Sequence, residues 1–406
     1  MRTLIVSAVA ALVLAPAAGA WTSLTGDTLQ NIVDPSVVVL PSGTELIAYR
    51  EPAAGNFKVI HGGPIATVVS GRPIVGDGVI LQTGGMLTLF FSDEQGVVRS
   101  TSSDGGATWS APVKTAQATS VGDVQAGAVR ADGTTLFSQD GTSFLNVFAG
   151  GAPGQNVFPF CCGYAESLAV DSSGLAQIAF WSNATGQSGY LYGPVGGPYT
   201  NLTGGKESLS NDARVPLVAD GSGSTYAAWQ SGYPSADAFI VSTYRGGVLQ
   251  HTVKFAGKYA QPDPAMALSV DASGRVWAVW TRAGSVWAAR SRSHGAHFGA
   301  AVHVAKPGSV YQLEAGARPD GSVDVVANTG SKLQSQRLLP GLSVSAGGGF
   351  ARVTDDGFPV AGATLKGGGK TLKTNAAGRA GFAGLRKRTA MFVTAAGYAA
   401  TSFRTP

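Results

Sequence analysis

Charge, cysteine and long apolar runs are all scarce in this 406-residue chain, and each scarcity excludes something. Asp, Glu, Lys and Arg together make up only 13% of residues, and no long amphipathic helix can be traced. Glycine and proline are plentiful, at 57 and 20 residues. Val, Thr and aromatic residues fill the stretches between turn signals, which is the texture of an all-β fold. Beyond the first twenty residues no stretch approaches the roughly 20 consecutive apolar residues that a spanning helix needs, so no membrane span is expected. Gly-x-Ser-x-Gly is absent, which removes the simplest serine-esterase chemistry. The two cysteines, Cys161 and Cys162, are adjacent, and their surroundings offer no further ligands for a metal thiolate site.

What is present begins with a secretory signal over residues 1–20. Arg2 is the charged start, Leu4 to Leu14 the apolar run, and Ala18-Gly19-Ala20 precedes a cut before Trp21. The mature chain is therefore expected to be secreted, extracellular or at the cell surface, and a monomer. The net charge of +5 is uneven: from Val344 to Pro406 nine Lys or Arg face two Asp, whereas Trp21 to Ser343 carries 19 basic and 22 acidic residues. A net −3 argues against a nucleic-acid partner for the main body. The basic tail is suited to anionic polymers or headgroups, or is simply a solvated surface.

A unit of apolar strand, glycine turn and second apolar strand recurs seven times. Examples are Leu168-Ala169-Val170 through Gly174 into Ile178-Ala179-Phe180-Trp181, and Val270 through Gly274 into Val276-Trp277-Ala278-Val279-Trp280. Turn glycines 43, 84, 133, 174, 221, 274 and 321 are separated by 41, 49, 41, 47, 53 and 47 residues. That is the period of a four-stranded propeller blade. The spacing predicts a seven-bladed β-propeller over residues 21–343, or a six-bladed one if the weak third or seventh copy is not a blade.

Ser102-Ser103-Asp104-Gly105-Gly106-Ala107-Thr108-Trp109 fits Ser-x-Asp-x-Gly-x-Thr-Trp at every defined position. This resembles the Asp box (BNR repeat) of sialidase-like β-propellers, in which Ser102, Asp104, Gly106 and Trp109 are structural and the turn lies away from the ligand face. A degenerate second copy runs from Ser291 to Phe298, with Ser293 in place of the Asp. The resemblance implies a first blade opening on Arg-Ile-Pro, whose Arg belongs to a three-Arg clamp for the substrate carboxylate. Here Val33-Asp34-Pro35 stands instead, and an Asp cannot clamp a carboxylate. Arg214-Val215-Pro216 is similar locally but opens the fifth repeat, so true sialidase activity is not expected.

Residues 344–349, with Gly347-Gly348-Gly349, read as a linker, and 350–406 as a small β-sandwich. Val353-Thr354-Asp355-Asp356-Gly357, Thr374-Asn375-Ala376-Ala377-Gly378 and Val393-Thr394-Ala395-Ala396-Gly397-Tyr398 are similar to carboxypeptidase regulatory-like modules. In that family the module is an accessory and implies no peptidase activity.

Propeller ligands usually sit where the inner strands begin. Counting back seven to eleven residues from each turn glycine gives Asp34, Asp77, Asp123, Glu166, Asp212 with Arg214, Asp263 and Glu314, with Tyr164 nearby. These side chains either cap strand entries or form an acidic central face for a cation, a cationic ligand or a hydroxyl-rich sugar. No cofactor is implied beyond a bound cation such as calcium. Two carboxylates about 5 to 9.5 Å apart would permit glycoside cleavage. The histidines His294, His297 and His303 lack an accompanying acid, Gly367-Gly368-Gly369-Lys370-Thr371 lacks the first glycine and the helix of a phosphate loop, and Trp181, Trp229, Trp277, Trp280 and Trp287 fall in blade strands, where they pack. The expected function is recognition of an extracellular glycan or surface polymer. Glycoside hydrolysis and a protein-binding scaffold stand as alternatives.

Adjacent Cα atoms lie about 3.8 Å apart, below the usual disulfide span of about 4.4 to 6.8 Å, so a Cys161–Cys162 bond would be a strained ring. Two thiols or an intermolecular pair are the other states. Intact-mass measurement after alkylation of the unreduced, denatured monomer is expected to show no added label. Label uptake would exclude the vicinal bond.

Overall fold

The computed structural model describes residues 20–26, 35–115, 122–141, 144–150, 154–158, 163–184, 188–203, 214–231, 237–256, 265–382 and 384–406. Among them the only helical element is a 3-10 turn at Pro52–Ala54, and the strands form nine four-stranded sheets. Six sheets are built from consecutive strands within 36–69, 74–114, 127–158, 163–201, 217–256 and 266–305. The seventh takes three strands from 312–338 and its fourth, Thr22–Ser23, from near the start of the chain. The first strands of the seven sheets lie side by side in sequence order. That of the seventh, Gln312–Ala317, meets that of the first, Ser36–Val39, so the sheets close into a ring. The third and seventh repeats, the weakest in sequence, each form a complete sheet.

The hairpins follow from local chemistry. Gly43, Gly133, Gly174, Gly274 and Gly321 all have φ between 75° and 85°, which a side chain would disfavour. In the fifth repeat Gly223, with φ 92°, takes this position rather than the expected Gly221. Asp171, Asp220 and Asp271 hold three of these turns, each accepting backbone N–H bonds from residues two and four further on at 2.9 to 3.1 Å.

Between sheets the packing is dry. Every residue of Ala176–Ser182 is buried, and Phe239 stacks on Trp280 with ring centroids 5.2 Å apart. Trp181, Trp229, Trp277 and Trp280 are at most 8% exposed, so their rings serve the inter-sheet core.

The Ser102–Trp109 segment is the turn after Gly96–Ser102. Asp104 accepts the Thr108 N–H at 3.0 Å and its hydroxyl at 2.6 Å, Ser102 Oγ accepts the Gly106 N–H at 2.9 Å, and Trp109 Nε1 donates to Gly106 O at 3.0 Å. Gly106 lies against Leu46 of the first sheet, in whose core Trp109 also packs. The Ser291–Phe298 turn repeats this plan. His294 and Gly295 have φ 68° and 65° where Gly105 and Gly106 have 74° and 95°, and Gly295 abuts Tyr226 of the preceding sheet. Each turn thus pins its sheet to the one before it.

Residues 343–406 form the last two sheets around a core that includes Val353, Leu365, Met391 and Val393. The stretch 344–349, expected as a linker, instead lies in the strand Ser343–Gly347 and a hairpin. Gly348 and Gly349 take φ 58° and 80°, as a two-residue turn requires, so the glycine run folds the chain back onto Phe350 rather than spacing two bodies. The tail docks on the ring through Asp355. Arg275 donates to both its carboxylate oxygens at 2.8 and 2.9 Å, Arg290 donates at 2.8 Å and the Tyr398 hydroxyl at 3.2 Å. Burial alone would raise the Asp355 pKa, but the two guanidinium groups outweigh it and hold the carboxyl below its ordinary range. Asp355→Asn would remove the carboxylate that buried Arg290 and half-buried Arg275 share, leaving them only the more distant Asp271. We expect it to lower the unfolding free energy by about 3 kcal/mol, measured by urea denaturation; an unchanged midpoint would show that this cluster does not hold the tail.

Candidate functional site

The ring has two ends. The glycine hairpins and the Ser102–Trp109 turn share one, and the first strands begin at the other, as strand alternation requires. At that second end three consecutive sheets open irregularly. In the second sheet the register shifts between Val75 and Gly78, around Gly76 (φ 68°) and Asp77. In the third, an isolated Asp123–Asp140 bridge precedes regular pairing that resumes at Gly127 and Phe137. In the fourth, the register shifts between Tyr164 and Ser167, around Ala165 (φ 56°) and Glu166. Bulges re-aim side chains, and here they gather carboxyls.

The Asp77 N–H donates to Asp123 Oδ1, an approach possible only because Gly76 has no Cβ to meet that carboxylate. Gln125 Nε2 donates to Asp123 Oδ2 at 3.3 Å. Glu166, fully buried, accepts the Ser138 hydroxyl at 2.8 Å, and Ser138 Oγ in turn accepts the Ala126 N–H at 3.0 Å. Arg50 Nε meets Asp77 Oδ1 at 3.2 Å. Arg214 Nη1 meets Glu314 Oε1 at 2.6 Å. Arg214 precedes the first strand of the fifth sheet and Glu314 lies on that of the seventh, so this pair reaches past the sixth sheet.

Below these groups runs a central cavity of about 410 Å³ lined by the first strands of all seven sheets. Its walls are mainly Val, Leu and Ala, with Ser36, Gln125, Ser167, Arg214, Ser269 and Glu314 as polar points. The surface it exposes is nonetheless more polar than apolar, which suits a hydrogen-bonding ligand better than an apolar one.

The electrostatics differ from an open acidic face. Asp77 and Glu314 are paired with arginines. Burial, then the charges of Glu166 and Asp123, push the Asp140 carboxyl up to about 9. Burial pushes Glu166 up to about 7 against the Ser138 hydrogen bond, and burial likewise raises Asp123. Near neutral pH the mouth therefore carries hydrogen-bonded carboxyls and two ion pairs instead of a ring of free negative charge.

Of the residues expected at the mouth, Asp77, Asp123, Glu166, Arg214 and Glu314 come together. Tyr164 stacks near Trp181 with centroids 6.2 Å apart. Asp34, Asp212, Asp263, Cys161 and Cys162 lie outside the described residues. Counting only backwards from the turn glycines missed Arg50, Ser138 and Asp140 on the second strands. Counting seven residues forward finds Arg50 from Gly43, Asp140 from Gly133, Gln230 from Gly223, Thr281 from Gly274 and Asn328 from Gly321, because the outgoing arm of a hairpin returns to the same end. Among the described residues no three His, Cys, Asp or Glu side chains are grouped to hold a metal ion.

No protein-family model matches the chain, and no curated protein matches it. Among solved structures it is similar to a streptogramin B lyase, at 10% identity over 78% of this chain and 96% of the other, TM-score 0.50. It is also similar to virginiamycin B lyase from Staphylococcus aureus, at 11% over 78% and 97%, TM-score 0.49, and to the polysaccharide lyase Uly1, at 11% over 75% and 90%, TM-score 0.42. The likeness is one of fold. The chain has a β-propeller fold.

The buried carboxyls make stability depend on pH. With ordinary values near 4 in the unfolded chain and raised values in the folded one, Asp140 and Glu166 keep protons that the unfolded state has lost. The unfolded state binds fewer protons across that window, so stability falls as pH rises from about 4 toward about 9. The melting temperature is expected to drop between about pH 5 and about pH 8, and Asp140→Asn to remove at least half of that drop. An equal drop in the variant would exclude Asp140 as its source.

Proposed function

We infer that this is a secreted, monomeric seven-bladed propeller whose mouth binds a neutral, hydroxyl-rich extracellular glycan without cleaving it. The tail, in this reading, is a carboxypeptidase regulatory-like sandwich acting as an accessory, and Ser102–Trp109 is the Asp box of a sialidase-like blade. The observation that carries the proposal is the 410 Å³ cavity with the Arg214–Glu314 ion pair in its lining. Arg214 and Glu314 line the cavity, so a guanidinium donor and a carboxylate acceptor are placed for sugar hydroxyls, and as a pair they present little net charge to a cation. The absence of cleavage is argued from burial: Glu166 is fully buried and Asp140 is 6% exposed, so neither is placed to transfer a proton to a bound ligand.

The test is a glycan array probed with the mature protein, followed by product analysis on every hit. We expect binding to neutral oligosaccharides, no new reducing ends, and at least tenfold weaker binding by Arg214→Gln, with the folded state of the variant confirmed by circular dichroism. New reducing ends without an unsaturated product would establish hydrolysis, and the absence of any glycan binding would leave the protein-binding scaffold.

A further inference from the structure

The tail turns its charge outward in one sign only. Its two acidic side chains are Asp355, consumed at the ring by Arg275 and Arg290, and Asp356, which is 8% exposed. All nine of its Lys and Arg residues are exposed. Docking on the ring thus removes both acids from the surface and leaves every cation on it.

Four of these cations, Lys366, Lys370, Lys373 and Arg404, lie on the sheet made of Lys370–Lys373, Thr364–Gly367, Ala390–Thr394 and Thr401–Arg404. Leu365, with its partners Leu372 and Val393, points into the core. By alternation the next residues form an outer row across four strands: Thr371, Lys366, Phe392 and Ser402. A neighbouring row holds Lys373, Thr364 and Thr394, and on the other side Arg404 pairs with Ala390. Arg404 Nη1 donates to Arg388 O at 3.3 Å, which brings the exposed Arg386-Lys387-Arg388 loop to the same margin. The face is an array of cations and hydroxyls about one half-buried aromatic ring, with strands spaced about 4.8 Å apart.

We propose that this face binds an acidic polysaccharide, independently of the propeller mouth. Cations spread across adjacent strands suit carboxylates or sulfates repeated along an extended chain, the hydroxyls of Thr364, Thr371, Thr394 and Ser402 suit sugar hydroxyls, and Phe392 offers a face to a sugar ring. A lipid surface is disfavoured because the exposed large apolar residue of the tail, Phe358 at 54%, lies on the other sheet. Single-stranded nucleic acid is disfavoured because it uses a series of stacking rings, and this face has one.

The experiment measures binding of the full mature protein to polygalacturonate, with dextran as the uncharged control and phosphatidylglycerol vesicles and duplex DNA as competing polyanions. We expect binding to polygalacturonate that weakens with added salt, whereas any dextran binding, which belongs to the mouth, should be insensitive to salt. The triple substitution Lys366→Gln, Lys373→Gln, Arg404→Gln is expected to weaken it at least tenfold with an unchanged melting temperature. Arg245→Gln, which removes an exposed cation from the ring, should leave it unchanged. Wild-type affinity in the triple variant, no binding of polygalacturonate, or equal affinity for vesicles or DNA would each overturn the proposal. Neutral-glycan binding at the mouth should survive the triple variant, so the two sites fail separately.

Discussion

Closure of the ring rests on the pairing of Thr22–Ser23 with Leu333–Leu338. Without it the seventh sheet has three strands and a bare edge, and the ring is joined there by side-chain packing alone. The seam is reinforced on both sides. Leu24 N donates to Leu333 O at 2.9 Å, Leu333 N to Thr25 Oγ1 at 3.0 Å, and Trp21 Nε1 to Ala305 O in the sixth sheet at 2.6 Å. Residues more than 300 positions apart thereby become one sheet, and the geometry at the far end of the ring depends on that closure.

The mouth shows the dependence most clearly. Arg214 and Glu314 are 100 residues apart and belong to sheets that are not neighbours. They meet only because the ring curves. Asp123, Asp140 and Glu166 likewise share one another's fields because bulges in adjacent sheets turn inward, and Gly76 leaves room for Asp123 to reach the next sheet. The ring concentrates carboxyls there while burying them, and burial raises the pKa of all three, that of Asp140 to about 9. The opposite end carries a different bond network: the Asp355 cluster, which ties the tail to the sixth sheet.

Much of the fold was legible before any coordinates. Seven hairpins could be counted because a left-handed turn position selects glycine locally, and Ser102–Trp109 could be placed at the hairpin end because its hydrogen bonds close within eight residues. The bulges were not legible, since one extra residue in a strand leaves no mark in a period that already varies from 41 to 53. Asp140 and Arg50 were missed because only the incoming arm of each hairpin was searched. The Gly347–Gly349 run was taken for a spacer because consecutive glycines permit a flexible chain and a tight hairpin equally, and only the partner strand Phe350–Asp355 distinguishes them.

By itself the sequence determined what is set within a few residues: strand after strand, the glycine that turns each hairpin, the Asp that holds the turn, and the sign of charge in the tail. Tertiary structure alone decided which carboxyls are paired, which are protonated and which are spent on docking. The physical reason is range. A backbone dihedral answers to its immediate neighbours, whereas the charge state of a carboxyl answers to every dipole, ion and apolar wall that folding brings within a few ångströms of it.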